Sequence, residues 1–193
     1  MRFSTSLLLA LVPLCSYAYT LPAGLSDGVY TVDVDEDGTE IHKRLPDIEA
    51  RAVIEEIDVK ADEGTSRLEK RFPTTKQFWC GCAFPLDHQN CDLAVADLKN
   101  QVTPGKSVKN NYYSIKGNVV AFVCRPYTTY GGYYTDAEYL GLIFRDISST
   151  CGQYIAGTSQ NIVNLSFAYV GYMQYTPGLD FCATSTSSRQ YSC

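Results

Sequence analysis

Three sets of side chains in this chain have types and spacings that point to chemistry. The first is cysteine. Cys80, Cys82, Cys91, Cys124, Cys151, Cys182 and Cys193 all lie in residues 72–193, and only Cys15 precedes them. At that density in an exported chain, thiols pair into disulfides rather than serve as nucleophiles. Zinc needs two close pairs or a mixed Cys/His set. Cys80-Gly81-Cys82 is one residue short of a knuckle, no second close pair follows, and His88 is the one histidine after Arg71. No metal and no cofactor is expected. Seven is odd, so three bridges leave one thiol. Cys193, the last residue of a polar tail, is the natural leftover. Cys80 and Cys82, two apart on a strand, share a face and should bond different partners; the pairing itself does not follow from sequence.

The second set is basic. Lys70-Arg71 closes a highly charged stretch, and a kexin-type protease of the secretory pathway cuts after such a pair in an extended backbone. Lys43-Arg44 is a second pair, but Leu45-Pro46 follows it, which favours cleavage after Arg71. The third set is acidic. Asp87 and His88 are neighbours and form the one candidate acid–base pair for a small hydrolase. Asp92, Asp97, Asp136 and Glu138 read as helix-start or exposed-face charges, and no hydrolase elbow, zinc-protease or phosphate-loop motif occurs.

These sets divide the chain. Residues 1–18 read as a signal peptide: Arg2, the apolar run Leu7–Val12, and Ser16-Tyr17-Ala18 with cleavage after Ala18. Residues 19–71 hold 14 acidic and 7 basic side chains and no cysteine, and read as an acidic pro-region. Within it Gly28–Val34 alternates apolar and polar, Asp35–Gly38 is a turn, and Thr39–His42 returns as a second strand. A lone hairpin is marginal in water, so this one is expected to cover a sheet edge until cleavage. Residues 72–193 hold 7 acidic and 8 basic side chains, and form the mature cysteine-rich domain. With no basic run, nucleic acid is not an expected partner.

The mature part must position its cysteines on regular elements. Phe78–Cys82 reads as a strand. Asn90 caps a helix whose stripe is Cys91, Ala94, Val95, Leu98 and Val102. Tyr112–Ile115 and Val119–Cys124 form a hairpin around Gly117, the second strand buried on both faces. Thr135-Asp136-Ala137-Glu138 opens a second helix with stripe Leu140, Ile143, Phe144, Ile147 and Cys151, ended by Gly152. Gln153–Gly157 and a longer segment from Val163 toward Tyr175 are strands, and the Ser/Thr-rich end is loose. The fold class is α+β: a disulfide-stabilised two-layer sandwich, a mainly antiparallel sheet of about five strands with two helices on one face.

The elements Phe78-Trp79-Cys80-Gly81-Cys82, Asn90-Cys91-Asp92, Gly117 through Cys124, Cys151-Gly152-Gln153-Tyr154 and Gly178 through Cys182 resemble those of fungal small secreted cysteine-rich proteins. Their order is similar to the killer-toxin-like α/β sandwiches of smut toxins and plant-associated fungal effectors. The resemblance implies a secreted toxin or effector-like protein, not an enzyme, that binds an extracellular protein, membrane protein or polysaccharide. A small secreted hydrolase using His88 and Asp87, or a wall-associated structural protein, is the alternative. Candidate contact residues are the tyrosines of one loop, Tyr127, Tyr130, Tyr133 and Tyr134, with Lys106, Lys109 and Lys116. Asn164-Leu165-Ser166 is a glycosylation sequon.

Overall fold

The computed structural model describes residues 19–46, 76–103, 105–125, 132–163 and 166–193. Ala18, Lys70, Arg71, Tyr127, Tyr130 and Asn164 lie outside them. The elements run β1 (Gly28–Val34), β2 (Glu40–Arg44), β3 (Gln77–Pro85), α1 (His88–Asn100), β4 (Lys106–Val108), β5 (Asn111–Lys116), β6 (Val119–Cys124), β7 (Tyr133–Thr135), α2 (Ala137–Cys151), β8 (Ile155–Val163), β9 (Ser166–Gln174) and α3 (Phe181–Ser185). Seven strands form one sheet in the order β2-β1-β5-β6-β9-β8-β3, and β4 pairs with β7 apart from it. Every pairing is antiparallel.

Among the described residues the expected sheet of about five strands is thus corrected to seven. Five strands come from residues 77–174, and the other two are the β1–β2 hairpin, which covers the β5 edge of the sheet as a pair of integral strands. Val32 of β1 pairs with Asn111 and Tyr30 with Tyr113 on β5. Val29, Tyr30 and Val32 are buried, as are Tyr19 and Leu21 ahead of the hairpin. The sheet therefore runs across the division that the sequence places at Arg71.

Strand β6 is buried along its whole length, which accounts for its apolar run. Its side chains alternate. Ala121 pairs with Tyr172, whose hydroxyl meets Ser148 of α2 at 3.0 Å, so that face carries α1 and α2. Phe122 and Cys124 point the other way, to α3: Phe122 lies 5.6 Å from Phe181, and Cys124 bonds Cys182. Among the described residues the helix count of two is corrected to three. The tail expected to be loose begins with α3, because Asp180 caps it by accepting from the Ala183 amide at 2.9 Å. Two further boundaries move. Asp87, not Asn90, caps α1, accepting from the Asn90 amide at 2.8 Å. Tyr154 takes φ 57° after the helix-ending Gly152, so the strand expected over Gln153–Gly157 begins at Ile155 and runs on to Val163, and the longer one expected from Val163 begins at Ser166.

Cys80–Cys151, Cys82–Cys193 and Cys124–Cys182 are bridged, with Cα separations of 5.2, 5.6 and 5.6 Å, inside the usual range. Cys80 and Cys82 take different partners, as their spacing implies. The expectation that Cys193 is unpaired is corrected: among the described cysteines Cys91 is the free thiol. Helix α1 lies over β5 and β6, and β6 turns Cys124 to the opposite face, so Cys91 has no cysteine opposite it. Burial, then Asp92 and Asp87, push its thiol up to about 12. It stays protonated and inert at neutral pH.

Candidate functional site

The outer face of β3, β8 and β9, opposite α1 and α2, carries the candidate site. A cleft of about 380 Å³ opens between these strands and the segment that follows α3. Its floor is made of small residues, Gly81, Ala156, Gly157 and Thr158. A Cβ on Gly81 would sit 3.1 Å from the Ala156 Cβ and 3.2 Å from the Phe84 ring, so glycine there leaves room for the ring to lie over the sheet. Trp79, Phe84, Met173 and Leu179 supply apolar walls.

A bulge aims Phe84. Gly81 pairs with Ala156 and Pro85 with the next residue of β8, Ile155, so Cys82, Ala83 and Phe84 are extra residues on β3. Phe84 is 58% exposed, which no packing requirement explains. Trp79 is half-buried and meets the Tyr169 ring edge-on at 5.6 Å, and Tyr169 meets Phe167 likewise at 5.9 Å. An aromatic strip thus leads from the cleft along β9.

The facing wall is polar. Thr184, Ser187, Ser188 and Gln190 line it. This segment is held against the outer edge of β3: the Cys80 amide donates to the Gln190 carbonyl at 2.7 Å, and the Ser188 hydroxyl donates to the Cys80 carbonyl at 2.7 Å. Cys124–Cys182 anchors its start and Cys82–Cys193 its end. Among the described residues no Asp, Glu, Lys, Arg or His lines the cleft. Its polar side chains are hydroxyls and the amides of Gln174 and Gln190, which both donate and accept.

Of the contact residues expected from sequence, Tyr133, Tyr134, Lys106, Lys109 and Lys116 are described, and these five do not form one surface. Tyr133 is fully buried in β7 and belongs to the core, with its phenol pushed well up by burial. Tyr134 is 44% exposed on the other side of the same strand, because strand side chains alternate. Lys106 and Lys109 are exposed on and just after β4, which pairs with β7. Lys116 stands at the far end of β5, 2.8 Å from Asp97. The Asp87–His88 pair is also taken apart. The Asp87 carboxylate is the cap of α1, and the His88 ring stacks on Tyr154 at 4.0 Å. Tyr154 in turn donates to Asp92 at 3.2 Å.

The sequence reading ended β3 at Cys82 and so missed Phe84. The hint was there in Ala83-Phe84-Pro85: an aromatic before proline is biased to extended backbone. Met173 and the tail hydroxyls carry no such signal, since the pairing of β9 in the sheet and the hydrogen bonds and disulfides of the tail bring them together. Comparisons with protein families, curated proteins and solved structures find no match to this chain. Among the described residues no helix is long and apolar enough to cross a membrane. The three bridges fit an oxidising compartment.

Proposed function

We propose that this chain is a secreted cysteine-rich protein of the toxin or effector class, exported behind residues 1–18 and cut after Arg71. It acts by binding a neutral polysaccharide of a cell surface. The observation that carries this reading is the uncharged cleft with aromatic walls on one side and hydroxyls on the other. A sugar ring has apolar C–H faces and a rim of hydroxyls, and it matches both walls without desolvating a charge. The size of the cleft, about 380 Å³, falls in the range of small-ligand sites. The kinship with killer-toxin-like α/β sandwiches belongs to the same proposal. Its support is the antiparallel sheet, the helices packed on it and the bridges.

The test is retention of the secreted protein on insoluble neutral wall polysaccharides, compared with Trp79→Ala and Phe84→Ala. Each substitution is expected to weaken retention about tenfold or more while leaving the three bridges intact by non-reduced mass. Retention unchanged in both variants, or capture by a protein receptor alone, would overturn the carbohydrate reading. Growth inhibition or a leaf response at concentrations where the protein binds separates a toxin or effector from a wall component. The intact mass of the secreted form checks the processing: species beginning at Tyr19 and at Phe72 support it, and a single uncut chain from Tyr19 to Cys193 sinks it.

A further inference from the structure

We propose that residues 19–46 stay seated on β5 after cleavage at Arg71, so that the processed protein is two chains held together without a covalent bond. This rests on the maturation reading above. It departs from the ordinary fate of a pro-region, which is to leave.

The contact between the two parts is that of a domain core. The β1–β5 ladder covers five residue pairs, from Gly28↔Ile115 to Val32↔Asn111. Tyr30 stacks on Tyr113 at 5.3 Å, and the Tyr19 ring lies 6.4 Å from Phe181. Both partners of each pair are buried. A second backbone contact lies ahead of the hairpin: the Leu21 amide donates to the Leu179 carbonyl, and the Gly178 amide donates to the Leu21 carbonyl, both at 2.9 Å. Polar contacts finish the seam. The Gly117 amide donates to Asp27 at 3.0 Å, and the His42 ring meets the Tyr113 hydroxyl at 2.9 Å. No cysteine lies between Tyr19 and Arg71, so none of this is covalent.

The position of the cut spares this contact. Strands β2 and β3 are the two outer strands of the sheet, and the residues that join them, 47–75, contain Lys70-Arg71. Six strand steps separate their ends, roughly 29 Å at the usual spacing. A connection of that many residues reaches about three times as far when extended. Cutting it releases neither end. Removing residues 19–46 would instead uncover the β5 edge, whose Asn111–Ile115 are all buried. An exposed edge of that kind pairs with other chains. The same geometry decides between the two dibasic pairs. Lys43 and Arg44 are in the β2 ladder, paired with Thr31 and Tyr30, and a protease that needs a free extended backbone does not reach them in the folded protein.

The experiment uses the oxidised chain from Tyr19 to Cys193. One sample is cut with a kexin-type protease. In a second, residues 55–61 are replaced by the recognition sequence of an unrelated site-specific protease and cut there. Both are run on size exclusion at about 10 µM and weighed under native and denaturing conditions. The expected result is a single native peak containing both fragments, which part only in guanidinium, with Lys43-Arg44 intact. Elution of the N-terminal fragment by itself in native buffer overturns the proposal. Failure of the kexin-type protease to cut after Arg71 sinks the maturation reading alone, and the second sample still decides retention. Val32→Asp in the cut protein is expected to raise the dissociation constant of the fragment at least tenfold. Hydrogen exchange at β5 gives an independent reading. Protection of the Asn111–Lys116 amides equal in cut and uncut protein supports retention, and exposure on cutting refutes it.

Discussion

The two edges of the seven-stranded sheet are closed by opposite means. At one, the β1–β2 hairpin brings buried side chains, Val29, Tyr30 and Val32, and no covalent tie. Its own outer strand ends the sheet with Lys43 and Arg44, charges that discourage further pairing. At the other, β3 is covered by residues 188–193, which bring two backbone-directed hydrogen bonds and the Cys82–Cys193 bridge. Tyr191, Ser192 and Cys193 are exposed. Where burial holds a segment, a disulfide is dispensable; where little is buried, the bridge substitutes for it. The polar, disulfide-held edge is also the one that forms the cleft, since hydroxyls that are not spent in a core are free to meet a ligand.

The largest test of this contrast is to produce residues 72–193 alone. Roughly five buried apolar side chains are lost at about 1.5–3 kcal/mol each, a sum comparable to the whole stability of a domain. The yield of monomer with three bridges, read by non-reduced mass, is expected to fall at least tenfold. Equal yield would show that the hairpin is an accessory and break the comparison.

Next come the bridges. Removing Cys80–Cys151, which ties α2 to β3 in the core, is expected to cost about 4 kcal/mol by loop-closure entropy. The same reasoning ranks Cys82–Cys193 slightly higher, because its sequence separation is 111 against 71. The structure argues the reverse order. Without its bridge the tail need only fray, and about 1 kcal/mol is expected. Urea midpoints of the two double serine variants at unchanged slope check the ranking. If the tail bridge proves the costlier, the β3 edge is part of the cooperative core.

Alkali acts on the hairpin side. Burial pushes the phenols of Tyr112 and Tyr113 on β5 far above their ordinary value, with Tyr30 adding to the effect on Tyr113, and it raises Tyr172 in the middle of the sheet to about 12. Between pH 10 and 12 the folded chain holds protons that the unfolded chain has lost. The stability from these groups is complete below pH 10 and falls as pH rises, by about 1.4 kcal/mol per unit for each tyrosine. Phenolate absorbance should therefore appear together with loss of the hairpin, while the bridged tail stays in place. Buried tyrosines that titrate near 10 in the folded protein would contradict this. The smallest effect is at Cys91. Cys91→Ala is expected to cost about 1 kcal/mol and to leave all three bridges correct, and in the parent protein one thiol should alkylate only after denaturation. Mispaired bridges in the variant would mean that Cys91 takes part in oxidative folding.

The helices were legible because each carries its apolar stripe within one local segment: Cys91, Ala94 and Leu98 in α1, and Leu140, Ile143, Phe144, Ile147 and Cys151 in α2, are buried as their spacing predicts. The β5–β6 hairpin was legible for the same local reason, with Gly117 at φ 51° in its turn. Harder to read was whatever depends on two distant segments meeting. The tail looked loose since serine and threonine have little apolar area, yet Asp180 and two bridges order it. Tyr133 and Tyr134 are the same residue type in adjacent positions, and only the packing of β7 buries one and exposes the other. The cleft was invisible in sequence because its floor, its aromatic wall and its hydroxyl wall come from β3, β8, β9 and the tail.

By itself, then, the sequence determined the antiparallel α+β character, the two long helices, the hairpins and a cysteine content suited to bridges. Period and turn chemistry are local properties, and a linear pattern suffices to state them. Tertiary structure alone decided which thiol stays free, which edge each terminal segment closes, and that residues 19–46 belong to the same core as the cysteine-rich part. Those outcomes depend on which faces of remote strands coincide, and a shift of one residue in a strand reverses every face.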